Sequence, residues 1–372
     1  MEPSTLARRL KQKALELGFD LAGVCPAVRP SGLDRFRRWL AAGYAGRMRY
    51  LSDRAPAYEH PRHVLDGARS LLMLGIGYRT SEPAAPGPAQ ARVARYAWGT
   101  DYHDAIHDRL RRLAAYHREL TPGARVRGVV DTAPLLEREF AERAGLGWIG
   151  KNTLLLNRDL GSWLFLAALL SSEEILPDQP LDADHCGACR ACLEACPTGA
   201  LVEAYRLDAR KCISYLTIEL RDSVPVELRE GVGDWLFGCD VCQEVCPWNR
   251  RAPASREPAF QPLEGANPVD LAAWFALDDE AFRARFRPSA LWRAKRRGLL
   301  RNAALVLGNH PCEAGLRALR IGLGDPEPLV RAACAWALAR YGAPPARRYL
   351  REQLARESDG LVREEIEAAL SE

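Results

Sequence analysis

Hydrophobic and polar positions in the first 175 residues switch between a helical period and a strand period. Leu6, Leu10, Leu15 and Leu17 form an approximate helical stripe closed by Gly18. Residues 21–24 then read as a short strand, and Cys25 at its end reads as a small buried hydrophobe. Residues 33–40 return to a helical period that stops near Gly43, whereas residues 48–54 are mixed and take no assignment. Residues 71–78 are continuously apolar and of strand length, which predicts a buried central strand. A Pro/Ala-rich loop is expected over 81–90 and a helix over 104–120. A second buried strand over 126–130 runs into Asp131-Thr132-Ala133-Pro134, with a helix expected over 135–144. By position alone Asp131 reads as that helix's N-cap, although strand ends in open α/β sheets also carry chemistry. Residues 153–156 read as a strand, 157–161 as a turn and 162–170 as the return strand of a hairpin.

The other end of the chain has a different pattern. Residues 250–268 hold several Pro and Arg and read as a linker; beyond them the chain is helical. Leu300-Arg301-Asn302-Ala303, Val330-Arg331-Ala332-Ala333 and Val362-Arg363-Glu364-Glu365 share a register. A recurrence of about 30 residues marks stacked helix pairs. Gly308, Gly342 and Asp325-Pro326 supply stops and starts. Cys312 and Cys334 lie here and read as structural.

A chain of 372 residues with 48% hydrophobic and 27% charged positions is an ordinary soluble globular composition, large enough for two or three domains. The longest apolar run, 163–170, is too short to span a bilayer, and no secretory signal is evident, so a cytoplasmic protein is expected. The net charge of +4 excludes a polycation as a whole. Gly145-Leu146-Gly147-Trp148-Ile149-Gly150 spells a dinucleotide fingerprint, but it follows a helix and leads into a strand, so that reading is rejected. No phosphate-loop or His-Glu-x-x-His motif is present.

Cysteine spacing carries the chemistry. Cys186-x2-Cys189-x2-Cys192-x3-Cys196-Pro197 is followed by Cys212 and by Cys239-x2-Cys242-x3-Cys246-Pro247. In the bacterial ferredoxin run the fourth Cys serves the other [4Fe–4S] cluster. The expected sets are therefore Cys186, Cys189, Cys192 and Cys246 for one cluster, and Cys196, Cys212, Cys239 and Cys242 for the other. A pair of zinc knots is the lesser alternative, since Cys-x2-Cys is also a zinc spacing. Disulfides are less expected still in a reducing compartment.

Residues 281–301 carry eight basic side chains and no acidic one: Arg283, Arg285, Arg287, Arg293, Lys295, Arg296, Arg297 and Arg301. Phe282, Phe286 and Trp292 are interleaved. A solvated helix face is the plain reading; a phosphate-binding stripe for RNA is weighed slightly above it.

The cysteine runs, with Asp131-Thr-Ala-Pro-Leu-Leu-Glu-Arg138, Gly147-Trp-Ile-Gly-Lys-Asn-Thr153 and Cys212-Ile-Ser-Tyr-Leu-Thr-Ile-Glu219, resemble epoxyqueuosine reductases over nearly the whole chain. The resemblance implies a mixed α/β and α+β protein in three parts. These are a cobalamin-binding catalytic domain over 1–175 related to those of reductive dehalogenases, a ferredoxin-like domain with two [4Fe–4S] clusters over 176–255, and HEAT-like, tRNA-binding helical repeats over 256–372. It implies reduction of epoxyqueuosine to queuosine at the tRNA wobble position, with electrons passing through the clusters to a base-off cobalamin without a protein histidine ligand. Asp131 matches the family's proton donor, and partial burial would favour its protonated form. Arg54, Tyr102, His103, Lys151, Asn152, Ser162 and Tyr215 fall in segments that line the corrinoid site. Thr217 and Glu219, with Arg293, Lys295, Arg296, Arg297 and Arg301, are expected on the tRNA side. An external low-potential electron donor and a monomer are also expected. A small-molecule corrinoid reductase and a non-enzymatic ferredoxin-type carrier are the rival readings.

Overall fold

The computed structural model describes residues 1–181 and 185–371. They form two compact units, each assembled from separated stretches of chain. The first comprises Met1–Thr80, Tyr102–Arg210 and Val241–Ala259; the second comprises Ser81–Asp101, Lys211–Asp240 and Phe260–Glu372. Residues 81–101 leave the N-terminal region because the Gln90–Val93 strand pairs with Trp235–Phe237 on one side and Val269–Asp270 on the other.

The first unit is built on a four-stranded antiparallel sheet, in the order Leu21–Pro26, Ser70–Gly77, Leu164–Ser171, Val126–Val129. The apolar run expected at 71–78 is an inner strand, as its composition requires. Its alternate side chains are buried on both faces, Leu71 and Met73 on one and Leu72 and Leu74 on the other. Leu71 and Met73 pack with Phe140 and Ala141 of the Glu137–Arg143 helix and with Leu170. The Pro3–Glu16 and Tyr102–Leu120 helices pack against the sheet as well. Residues 49–53, unassigned by pattern, form a short helix.

Two local expectations change. Leu155–Leu156 pairs with Trp148–Ile149 rather than with the following strand, and a single bridge, Asn157 to Gly161, closes the turn. Gly147 is required at this ladder, since a Cβ there would lie 2.0 Å from the Leu156 carbonyl oxygen. Gly147 and Gly150 of the apparent dinucleotide motif thus serve a hairpin. Asp131 is not a helix cap: the Glu137–Arg143 helix is preceded by Leu136, and Asp131 sits at φ +57° in the loop before it.

In the second unit, the Lys295–Asn309, Pro328–Ala339 and Gly360–Ser371 helices pack in series, each carrying one of the three in-register segments. Glu313–Gly322 and Pro344–Leu354 are the alternate helices of the repeats. Leu300, Ala303, Val330, Ala333, Val362 and Ile366 share one buried core. No helix among the described residues is long and apolar enough to cross a membrane.

Candidate functional site

The first cysteine run wraps the short Ala191–Glu194 helix, and Cys246 precedes the Pro247–Asn249 turn. Burial raises the Cys192 thiol pKa, and the nearby Cys246, Cys186 and Cys189 raise it further, which places four sulfurs in mutual electrostatic reach. Cys246 and Cys186 back onto Trp148, Leu156 and Trp248. Four cysteines in reach of one another, two of them against an apolar wall, could supply the soft ligands of a cube. The Cys196 sulfur accepts the Ala200 N–H at 3.3 Å, a bond of the kind that steadies a ligating thiolate. None of the eleven cysteines forms a disulfide. Cys25 and Cys334 are fully buried, with burial pushing Cys25 up to about 12, and Cys312 caps a helix by accepting the Gly315 N–H; these three are structural, as expected.

Lys151 and Asn152, adjacent in the loop after Trp148–Ile149, reach both cysteine runs. The Lys151 ammonium donates to the Gly187 carbonyl and to the Cys189 carbonyl at 3.0 Å. Asn152, only 4% exposed, donates to the Cys242 carbonyl at 3.4 Å and accepts the Leu154 N–H. Ser162 is buried too; its hydroxyl donates to Gln243 and accepts from Asn249, both at 2.9 Å. These three side chains hold the cysteine segments in place.

Asp131 lies elsewhere on the same unit, past the end of the Val126–Val129 strand. Its loop is tight, with Thr132 N–H reaching back to the Val130 carbonyl at 2.6 Å. The Tyr102 hydroxyl donates to Asp131 Oδ2 at 3.3 Å, and His103 Nε2 lies 3.7 Å from the same oxygen. Tyr102 is held by stacking on Phe165 and on His103, each with ring centroids 4.1 Å apart. Arg54 donates to the Thr132 carbonyl at 3.1 Å. The Asp131 side chain is 58% exposed, not partly buried as the sequence suggested. A second carboxyl stands beside it: Glu137 accepts the Asp131 N–H at 3.1 Å. Burial first, and then the Asp131 charge, push the Glu137 carboxyl up to about 8. Tyr58 belongs to this cluster, its hydroxyl raised by burial and then by Glu137 and Asp131 against the lowering effect of Arg54. Sequence reading passed over Glu137 and Tyr58. Glu137 lay inside the quoted 131–138 stretch, but only the left-handed turn at Asp131 brings its carboxyl back onto that residue.

In the second unit, Tyr215 and Thr217 are buried. The Thr217 hydroxyl donates to Ile213 and accepts the Gly238 N–H, and full burial of the residue keeps it from a nucleic acid. Arg301 is 1% exposed and donates to the Leu216, Leu220 and Asp222 carbonyls and to Asn302. These two residues are structural, contrary to the expectation of tRNA contact. Arg296 is paired with Asp325 and Asp279. Glu219 pairs with Arg293, and Arg297 donates to the Arg221 carbonyl. Lys295 is exposed over the Trp292 ring at φ +60°, while Phe282 and Phe286 belong to the core.

Comparison with known proteins accounts for both patterns. Residues 185–249 match the family model described as "4Fe-4S double cluster binding domain", which decides for iron–sulfur over zinc. Residues 59–132 match "Epoxyqueuosine reductase QueG, DUF1730", and residues 290–371 match "HEAT repeats". The chain is 42% identical over 347 residues to the epoxyqueuosine reductase of Pseudomonas aeruginosa, covering 92% of this chain and 96% of the relative. It is 38% identical over 345 residues to that of Escherichia coli, covering 91% and 90%. A structure described as "Crystal structure of epoxyqueuosine reductase with a tRNA-TYR epoxyqueuosine-modified tRNA stem loop" matches with a TM-score of 0.92 at 31% identity, covering 99% of this chain and 98% of that one. Joined to the double run of cluster cysteines and the helical repeats, relatives of one name matched along almost their whole length leave one conclusion: the chain belongs to the epoxyqueuosine reductase family.

Proposed function

We propose that this protein reduces epoxyqueuosine to queuosine at the wobble position of tRNA, with Asp131 as the proton donor. Opening the epoxide and releasing its oxygen as water consumes two electrons and two protons. Cys186, Cys189, Cys192 and Cys246 hold one [4Fe–4S] cluster, and Cys196, Cys212, Cys239 and Cys242 hold the other. Clusters held by these residues would supply one-electron transfer from an external low-potential donor. A bound corrinoid supplies the two-electron reducing chemistry that the clusters lack. Arg54, Tyr102, His103 and Asp131 present polar groups suited to the amide-rich rim of a corrin. His103 faces the Asp131 carboxylate, which fits a corrinoid held without a histidine ligand. Lys151, Asn152 and Ser162 act behind this group by fixing the cysteine segments.

The observation that carries the reading is the Asp131 carboxyl on a tight left-handed turn, with the Tyr102 hydroxyl and His103 ring beside one of its oxygens. A carboxyl so placed can pass a proton to a departing alkoxide. Tyr102 and His103 orient it, and either can restore its proton from solvent. Exposed Arg293, Lys295 and Arg297, with exposed Arg283, Arg285 and Arg287 just before them in the chain, offer cationic groups to tRNA phosphates. The domain order of catalytic, double-cluster and repeat regions along the chain, a cytoplasmic location and a monomeric state complete the proposal. The test is anaerobic turnover of reconstituted protein on epoxyqueuosine-containing tRNA, with and without added cobalamin. Queuosine formation that requires cobalamin is expected; equal turnover without it, or turnover of small halogenated substrates but not tRNA, refutes the reading.

A further inference from the structure

We propose that Glu137 is the positioning residue for Asp131: its carboxyl grips the Asp131 main-chain N–H, holds the residue in its left-handed conformation, and shares a proton with it. This rests on the reading of Asp131 as proton donor. A non-glycine residue at positive φ is strained and persists only where its surroundings over-determine it. Here side chains outside the turn grip its backbone. Glu137 Oε1 accepts the Asp131 N–H at 3.1 Å, and Arg54 donates to the next carbonyl, that of Thr132, at 3.1 Å. Without the first grip the turn can relax to negative φ, which swings the Asp131 carboxyl away from Tyr102 and His103.

Charge adds a second role. The groups acting on Glu137 are Asp131, Arg138 and His103, and Tyr58 completes the set through its coupling to Glu137, Asp131 and Arg54. With Glu137 Oε1 on the Asp131 main-chain N–H, the two neighbouring carboxyls resist double ionisation, so the pair keeps one proton to higher pH than an isolated Asp would. The Glu137 carboxyl, pushed up to about 8, fits that behaviour. A proton kept on the pair is available to Asp131 at neutral pH.

The test uses holoenzyme variants. In Glu137→Ala, kcat on modified tRNA falls at least about tenfold, KM and cluster absorbance stay as in wild type, and exchange of the Asp131 amide hydrogen speeds up by about tenfold. In Glu137→Gln the amide oxygen still accepts the N–H, so Asp131 exchange stays protected. The alkaline limb of the pH–kcat profile nevertheless moves acidward by at least about one unit, because the shared proton is gone. Wild-type exchange and turnover in Glu137→Ala overturn the grip, and an unmoved limb in Glu137→Gln overturns proton sharing. If Asp131→Asn itself turns over normally, the donor reading fails instead, while the exchange measurement still decides whether Glu137 holds the turn.

Discussion

Arg301→Met removes a buried cation that anchors a turn of the second unit. Arg301 Nη1 donates to the Leu220 carbonyl at 2.8 Å and to that of Asp222 at 2.6 Å, while Nη2 donates to the Leu216 carbonyl at 2.6 Å. The Leu216 and Leu220 oxygens are buried at these contacts, so methionine leaves them without a donor. An unmet buried polar group costs about 1–3 kcal/mol, which puts the pair at about 2–6 kcal/mol; methionine matches the lost volume and returns little of this. The loss is confined to the segment that starts at Cys212 and continues through the Tyr215–Glu219 turn. Cofactor-bearing proteins of two units seldom unfold in one step, so a local readout is the right assay. Exchange of the Leu216 and Leu220 amide hydrogens, whose acceptors are Cys212 and Tyr215, should accelerate by more than about thirtyfold. Arg301→Lys should recover less than half of the effect, because a single ammonium does not span three carbonyls. Exchange of both amides within threefold of wild type in Arg301→Met would refute the assignment.

Four further outcomes are expected. Asp131→Asn retains cluster and corrinoid absorbance but loses about 10²–10⁴-fold in turnover on modified tRNA, checked by anaerobic single-turnover assay. Lys151→Met removes a positive charge and two donors from the first cysteine loop; losing about 1 kcal/mol of charge interaction lowers one cluster's midpoint potential by about 40 mV, read by paramagnetic resonance during a redox titration. Glu357, held down to about 2 chiefly by its hydrogen bonds to Arg331, stabilises the repeats above the ordinary carboxyl value of 4.5, and that stabilisation disappears as pH falls toward 2. Glu357→Gln is therefore less stable than wild type by about 2–3 kcal/mol at pH 7, with the gap closing by about pH 2; denaturant melts across pH follow it. Lys295→Glu combined with Arg297→Glu weakens binding of a modified tRNA stem-loop and flattens its salt dependence, measured by titration at several salt concentrations; an unchanged slope removes these residues from the interface.

Features of this protein written in short-range spacing were legible without coordinates. The gaps of two and three residues in the cysteine runs prescribe a cube because the ligands lie within single turns. The inner strand at 71–78 and the three in-register repeat helices follow from which positions are apolar, since period alone says which faces must be covered. Contacts made over long sequence distances were not legible. Arg296 and Arg301 look alike in a basic run, yet one pairs with Asp325 and the other is sealed against carbonyls near Leu220. Thr217 looks available until the Gly238 N–H closes on it. Asp131 reads as a helix cap until a positive φ turns it toward Tyr102 and folds Glu137 back against it. Residue type says what a side chain can do; the partners that use up or redirect that capacity arrive by packing, and packing joins positions that no local pattern connects.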